Sequence, residues 1–150
     1  MIKIICIGKI KESFYREAID EYLKRLSKYT KIEIIELNDY NYDKEKTIKE
    51  ESNLIINKLN NSDYKILLDI NGNMLDSMEL SKKINDLLIS NSNITFIIGG
   101  SYGVSDEIRD IVDYRLSFSR LTFPHQLFRV VLLEQIYRSF KIINNEEYHK

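Results

Sequence analysis

The 150-residue sequence predicts a single α/β domain built on a mostly parallel sheet flanked by helices. Three observations carry that reading. Short apolar, β-branched runs alternate with longer amphipathic segments, which is the order of strand and helix in βαβ units. Several of the runs are apolar throughout, as in strands covered on both faces. Finally, 43% hydrophobic content in 150 residues is enough for one sizeable core and leaves no room for a second.

The elements follow in order. Ile2 to Ile7 is a continuous apolar run ending at Gly8, the first strand. Ser13 is placed to cap a helix reaching about Tyr29, with Phe14, Ala18, Ile19, Tyr22, Leu23 and Leu26 on one face. Ile32 to Leu37 forms a second strand. The loop from Asn38 to Asp43 leads into a charged helix, Asp43 to Leu59, whose inward residues are Ile48, Leu54, Ile55 and Leu59. Lys65 to Ile70 is a third strand, closed by a turn at Asn71-Gly72-Asn73. Ser77 to Ile89 is a third helix and Ile94 to Ile98 a fourth strand that stops at Gly99-Gly100. Ser105 caps a short helix with Asp106 and Glu107 at its positive end. Tyr114 to Ser119 is the fifth strand. After Pro124 comes a last helix, Leu127 to Ile143, apolar around most of its circumference and so expected to be covered by its own sheet and by another subunit.

Composition narrows the function. The helix from Leu127 is interrupted by Arg129, Glu134, Gln135, Arg138 and Lys141, which excludes a bilayer span. The start of the chain lacks the charged-apolar-small order of a secretory signal, and a cytoplasmic location is expected. Cys6 sits inside an apolar run and reads as a small hydrophobe. With one cysteine and two separated histidines, no metal site is expected. A net charge of −1 is not that of a general nucleic-acid binder, though it is compatible with a narrow basic patch or with recognition of a preassembled particle.

In a parallel sheet ligands bind beyond the carboxyl ends of the strands, so the loops after Ile70, Ile98 and Ser119 are the ones to search. Gly99-Gly100-Ser101-Tyr102-Gly103 joins a strand to a helix and lets the backbone approach a ligand closely. It is neither the G-x-G-x-x-G fingerprint nor a P-loop. In Leu116 to Gln126 hydroxyls alternate with apolar groups before the only proline, Pro124, and His125. Such a loop can hydrogen-bond a purine edge through its backbone while Leu121 and Phe123 pack on the ring faces; a hydroxylated edge strand and turn is the plainer account. At the C-terminus Tyr148-His149 brings a phenol able to stack on a base and a titratable imidazole. Glu134 and Arg138, one turn apart, read as a local ion pair.

Taken together, these segments resemble the RlmH family of SPOUT methyltransferases, the 23S rRNA (pseudouridine(1915)-N3) methyltransferases. The resemblance runs from the opening Ile-Cys-Ile-Gly-Lys-Ile-Lys-Glu through Leu68-Asp69-x-x-Gly72, Gly99-Gly100-x-x-Gly103, Leu116 to His125 and Arg129-Val130, to Tyr148-His149-Lys150. It implies a SPOUT-type fold with a C-terminal trefoil knot, a homodimer, and S-adenosylmethionine as cofactor. It implies a cofactor pocket made by Leu68, Gly99, Gly103, Phe118, Ser119, Arg120, Leu121, Thr122 and Phe123. It also assigns Tyr148 and His149 to the target nucleotide across the dimer interface, within 23S rRNA of the large subunit or whole ribosome.

On this basis His149 is the candidate general base or proton relay, His125 the second candidate, and Tyr148 the group that positions the base. Lys9, Lys11, Arg16, Arg120, Arg129, Arg138 and Lys150 are the candidate RNA-facing cations. Two other readings keep the strand–helix alternation: a SPOUT methyltransferase acting on another RNA such as tRNA, or on a protein side chain, and a non-enzymatic flavodoxin-like binding domain. The second leaves the loop from Ser117 to His125 without a purpose.

Overall fold

A computed structural model describes residues 1–150 as ten alternating elements: β1 (Ile2–Ile7), α1 (Ser13–Leu26), β2 (Ile32–Leu37), α2 (Lys44–Lys58), β3 (Tyr64–Met74), α3 (Ser77–Ser90), β4 (Ile94–Ile98), α4 (Asp106–Ile111), β5 (Tyr114–Ser117) and α5 (His125–Ile143). The five strands form one sheet in the order β2-β1-β4-β3-β5, and every pairing is parallel.

Side chains of the strands alternate between two cores. Ile2, Ile4, Cys6, Phe96, Ile98 and Leu116 join α1, α3 and α5 in the larger one. Ile5, Ile7, Leu67 and Ile97 join Ile55 of α2 and Ile108 of α4 in the smaller. The central strands β1 and β4 are therefore covered on both faces, which is why they read as almost wholly apolar runs, broken only by Lys3 and Thr95. Phe96, fully buried, would cost about 3–5 kcal/mol if truncated to Ala. Cys6 is fully buried, and burial first of all pushes its thiol up to about 11, so it behaves as core.

Several boundaries differ from expectation, each for a local reason. Asn71-Gly72-Asn73 is not a turn: β3 runs on to Met74, and a bulge lets both Leu68 and Asn73 pair with Leu116 of β5. Gly72 belongs there because a Cβ would lie 2.7 Å from the Arg115 carbonyl carbon and oxygen. Ser13 is the first helical residue of α1 rather than its cap, which is Glu12 and makes no side-chain capping bond. Phe14, expected inward, is 61% exposed. The helix α3 is capped by Asp76 in a reciprocal capping box with Glu79. β5 ends at Ser117, two residues short of the expected end. The helix α5 starts at His125, with Pro124 at the N-cap.

The helix α2 turns a polar face inward. Thr47, Glu51 and Ser52 are buried along with Ile55, whereas the expected Ile48 and Leu54 are only partly buried. Its surroundings explain this, because α2 lies beneath the loop that follows β4. The Ser52 hydroxyl accepts a hydrogen bond from the Ser105 amide at 2.9 Å, and a Cβ on Gly100 would collide with the Glu51 carboxyl. No helix is long and apolar enough to cross a membrane.

Candidate active site

The carboxyl ends of β3, β4 and β5 surround a cavity of about 530 Å³. Its floor is the loop after β4. Gly103 has φ of 82°, a left-handed conformation natural to glycine, and its amide donates to the Gly100 carbonyl at 3.0 Å. A Cβ on Gly99 would lie 2.8 Å from Val104 Cγ1, so the tight loop requires glycine here too. One wall is the segment after β5. The Ser117 hydroxyl lies 3.1 Å from the carbonyls of both Ile70 and Ser119, tying this segment to the end of β3. The Leu121 amide donates to the Ser119 hydroxyl at 3.0 Å. Phe123 stacks on Phe128 with centroids 5.6 Å apart, and Phe118 meets Phe128 edge-on at 5.3 Å.

Eight of the nine residues expected to hold a cofactor line this cavity: Leu68, Gly99, Gly103, Phe118, Ser119, Leu121, Thr122 and Phe123. Arg120, the ninth, is exposed and not part of the lining. His125, the second candidate for the proton, is also in the lining.

Sequence reasoning assigned no role to Asp69, yet its carboxylate is in the same wall. The Oδ2 atom is buried without a hydrogen bond, 3.7 Å from both Arg109 Nε and Arg115 NH1. The signal was the Leu68-Asp69-x-x-Gly72 motif itself, since a carboxylate directly after the apolar run Ile66-Leu67-Leu68 is placed for a ligand.

A second cavity of about 380 Å³ adjoins the first and shares Gly100, Ser101, Tyr102 and His125 with it. Its lining is polar, with Lys9, Lys11, Tyr40 and Glu51. Glu51 Oε1 is buried and unpartnered, and burial raises the pKa of this carboxyl above its ordinary 4.5. His125 stands between the two cavities. Burial, and then the Arg129 cation, lowers its pKa below the usual 6.5, so the imidazole is neutral at pH 7.

Arg129, expected to face RNA, does something else. It is 1% exposed; NH1 donates to Glu36 at 2.8 Å and NH2 to the carbonyls of Ile7 and Gly8 at 2.8 and 2.6 Å. It joins α5 to the ends of β1 and β2. Lys9, Lys11, Arg120 and Lys150 are exposed.

Tyr148 and His149 line neither cavity within the chain. The Tyr148 hydroxyl reaches Glu134 at 2.9 Å, Arg138 reaches Glu134 at 2.7 Å, and His149 Nδ1 lies 3.2 Å from Arg138 NH1. No cluster of His, Cys, Asp and Glu in the chain is suited to a metal ion.

A family model described as "Predicted SPOUT methyltransferase" matches residues 1–149. The chain belongs to that family. Its SPOUT relatives include a chain of Methanococcus maripaludis, 52% identical over 157 residues, with 99% of each chain covered. Proteins named ribosomal RNA large subunit methyltransferase H in Clostridioides difficile (strain 630) and Clostridium botulinum (strain Okra) are 50% and 49% identical, again over 99% of each chain. Among solved structures, a "probable methylase family protein" of Haemophilus influenzae Rd KW20 superimposes with a TM-score of 0.53 at 11% identity, covering 96% of this chain and 66% of that one. At that identity the likeness shows the fold alone. As a member of the family, this chain is a methyltransferase.

Proposed function

We propose that this SPOUT enzyme methylates N3 of the pseudouridine at position 1915 of 23S rRNA in the assembled ribosome, using S-adenosylmethionine and acting as a homodimer. The observation that carries this reading is the roughly 50% identity, end to end, to proteins named ribosomal RNA large subunit methyltransferase H. The cavity suits the cofactor. Its volume is in the range of small-molecule sites, and phenylalanine and leucine faces meet exposed backbone groups of a glycine loop, as an adenosine requires. Asp69 Oδ2, buried without a hydrogen bond though 3.7 Å from Arg109 and Arg115, leaves one acceptor free in the same wall for a polar group of the ligand.

Held by these residues, S-adenosylmethionine would supply an electrophilic methyl group, so that N3 would gain an N–C bond as the S–C bond broke and would lose its proton. The task of the protein is to orient N3 in line and to accept or relay that proton. His125, neutral and between the cavities, faces both the cofactor site and the polar cavity where a base would enter. Tyr148 and His149 are assigned to the target nucleotide in the partner protomer's site, which accords with their lying outside the cavities of their own chain. Homodimerisation is supported by the half-exposed Leu127 and Val131 of α5 and by Leu121 and Phe123, 75% and 37% exposed. The trefoil threading is part of the same reading. What it draws on is the close approach of Gly72 to the Arg115 backbone and the bond from Ser117 to Ile70, which hold the last part of β3 tightly against β5.

The test uses labelled S-adenosylmethionine and three acceptors: ribosomes lacking this methyl group, ribosomes lacking the pseudouridine as well, and bulk tRNA. Label in the first alone is expected. Label in tRNA would keep the fold and replace the substrate.

A further inference from the structure

The C-terminal tail carries a hydrogen-bond pattern that limits what its side chains can offer a ligand. Arg138 NH1 and His149 Nδ1 are 3.2 Å apart. A guanidinium has only donors, so the imidazole nitrogen is the acceptor and the ring proton sits on Nε2. Arg138 is itself held in place: Nε and NH2 donate to Glu134 Oε1 at 3.0 and 2.7 Å, and Cζ lies 4.7 Å from the centre of the Tyr148 ring. The other Glu134 oxygen accepts from the hydroxyls of Tyr148 and Tyr22 at 2.9 and 2.7 Å. The groups around this network are Tyr22 and Arg25 of α1, Glu134 and Arg138 of α5, and the neighbouring Glu147 and Lys150 of the tail.

With its proton given to Glu134, the Tyr148 phenol can only accept further bonds. With Nδ1 engaged by Arg138, His149 has one free ring position, and it carries hydrogen. We propose that Arg138 is a positioning residue that fixes His149 as the Nε2–H tautomer, so that the tail offers the target base a hydrogen-bond donor for a ring carbonyl and does not remove the N3 proton. This rests on the reading that the tail meets the target nucleotide. It reverses the order of the two histidines expected from the sequence and leaves His125, in the wall shared by the two cavities, as the imidazole free to take the proton.

Two measurements on the full-length protein test the inference. Nitrogen-15 NMR of the histidine rings reads the tautomer directly. In the wild type, His149 is expected to show an unprotonated Nδ1 and a protonated Nε2, and Arg138→Met is expected to release it to a mixture of states. A wild-type His149 protonated on Nδ1 overturns the proposal, whether or not the protein methylates any RNA. The second measurement is methyl transfer to ribosomes lacking the modification. A glutamine side chain places an N–H near the position of Nε2 but is no base. His149→Ala is therefore expected to turn over about 100-fold more slowly, and His149→Gln to recover to within about 10-fold of wild type. His149 is exposed, so neither change disturbs the core. A glutamine variant as slow as the alanine variant would refute the donor role. No transfer by the wild-type protein would instead refute the proposed function.

Discussion

Arg129 separates two accounts of the same side chain. As an RNA contact it would be replaceable without loss of stability; as the buried strut seen here it would not. The guanidinium makes one charged bond to Glu36 and two to backbone carbonyls, all at 2.6–2.8 Å, with 1% of the residue exposed. Removing one member of a buried pair costs about 3–5 kcal/mol, much of it from the partner left bare. Glu36 lowers that figure, because its side chain is 22% exposed and keeps bonds from the Ile10 amide at 3.0 Å and Arg16 at 3.4 Å. For Arg129→Met, which retains the packing of the stem, about 3 kcal/mol is expected. In a domain of this size that lowers the melting temperature by about 6–12 °C. Urea and thermal unfolding at fixed protein concentration measure it. Adding Glu36→Gln is expected to recover part of the loss, since no bare carboxylate then remains. A single variant within 1 kcal/mol of wild type, with weakened binding to ribosomes, would refute the strut.

Three further outcomes follow from the geometry. Gly103→Ala puts a side chain on a residue at φ 82°, at a cost of about 1 kcal/mol, and isothermal titration with S-adenosylhomocysteine is expected to show about tenfold weaker binding because the loop shifts. Asp63 is buried; burial alone would raise its pKa, but bonds from Lys3, Asn93 and Thr95 outweigh that and hold it below 3.8. Its contribution to stability is therefore complete above pH 3.8 and lost as pH falls through the lower folded-state value, so the acid limb of a stability–pH curve is expected to flatten in Asp63→Asn. Cys6, fully buried with its thiol raised to about 11, is expected to resist iodoacetamide at pH 8 until the protein unfolds; rapid labelling of folded protein would contradict its place in the core.

The architecture was legible in the sequence where burial is uniform. The strands β1, β2 and β4 were found to the residue because their runs are rich in isoleucine and end at glycine or polar loops; β2, on the edge of the sheet, carries Glu33 and Glu36 and is only partly buried. Reading failed where a tertiary partner overrides local chemistry. Asn71-Gly72-Asn73 has the composition of a turn, but pairing with β5 across a bulge keeps it extended. The helix α2 was oriented by its apolar residues, while the glycine loop above it called for Thr47, Glu51 and Ser52 instead. At the site, the loop residues were recognisable because hydroxyls, glycines and one proline interrupt apolar segments at strand ends. Arg129 was misread as solvent-facing because its partners, Glu36 and the carbonyls of Ile7 and Gly8, are about a hundred residues away, a relation no local pattern contains.

The strand order β2-β1-β4-β3-β5 also governs how the protein can be made. During synthesis β1 can pair at once with β2, but its other neighbour is β4, which begins only at Ile94. β3 emerges earlier and has no neighbour until β4 and β5 follow. A nascent chain shorter than this therefore carries β1 and β3 with open edges and no central strand to join them. Folding must wait for the insertion of a central strand, a sequence-distant pairing that is slow to find. Until then Ile4, Ile5, Ile66 and Leu67 are exposed to chaperones and to other nascent chains, so truncations before residue 94 are the ones most prone to aggregate.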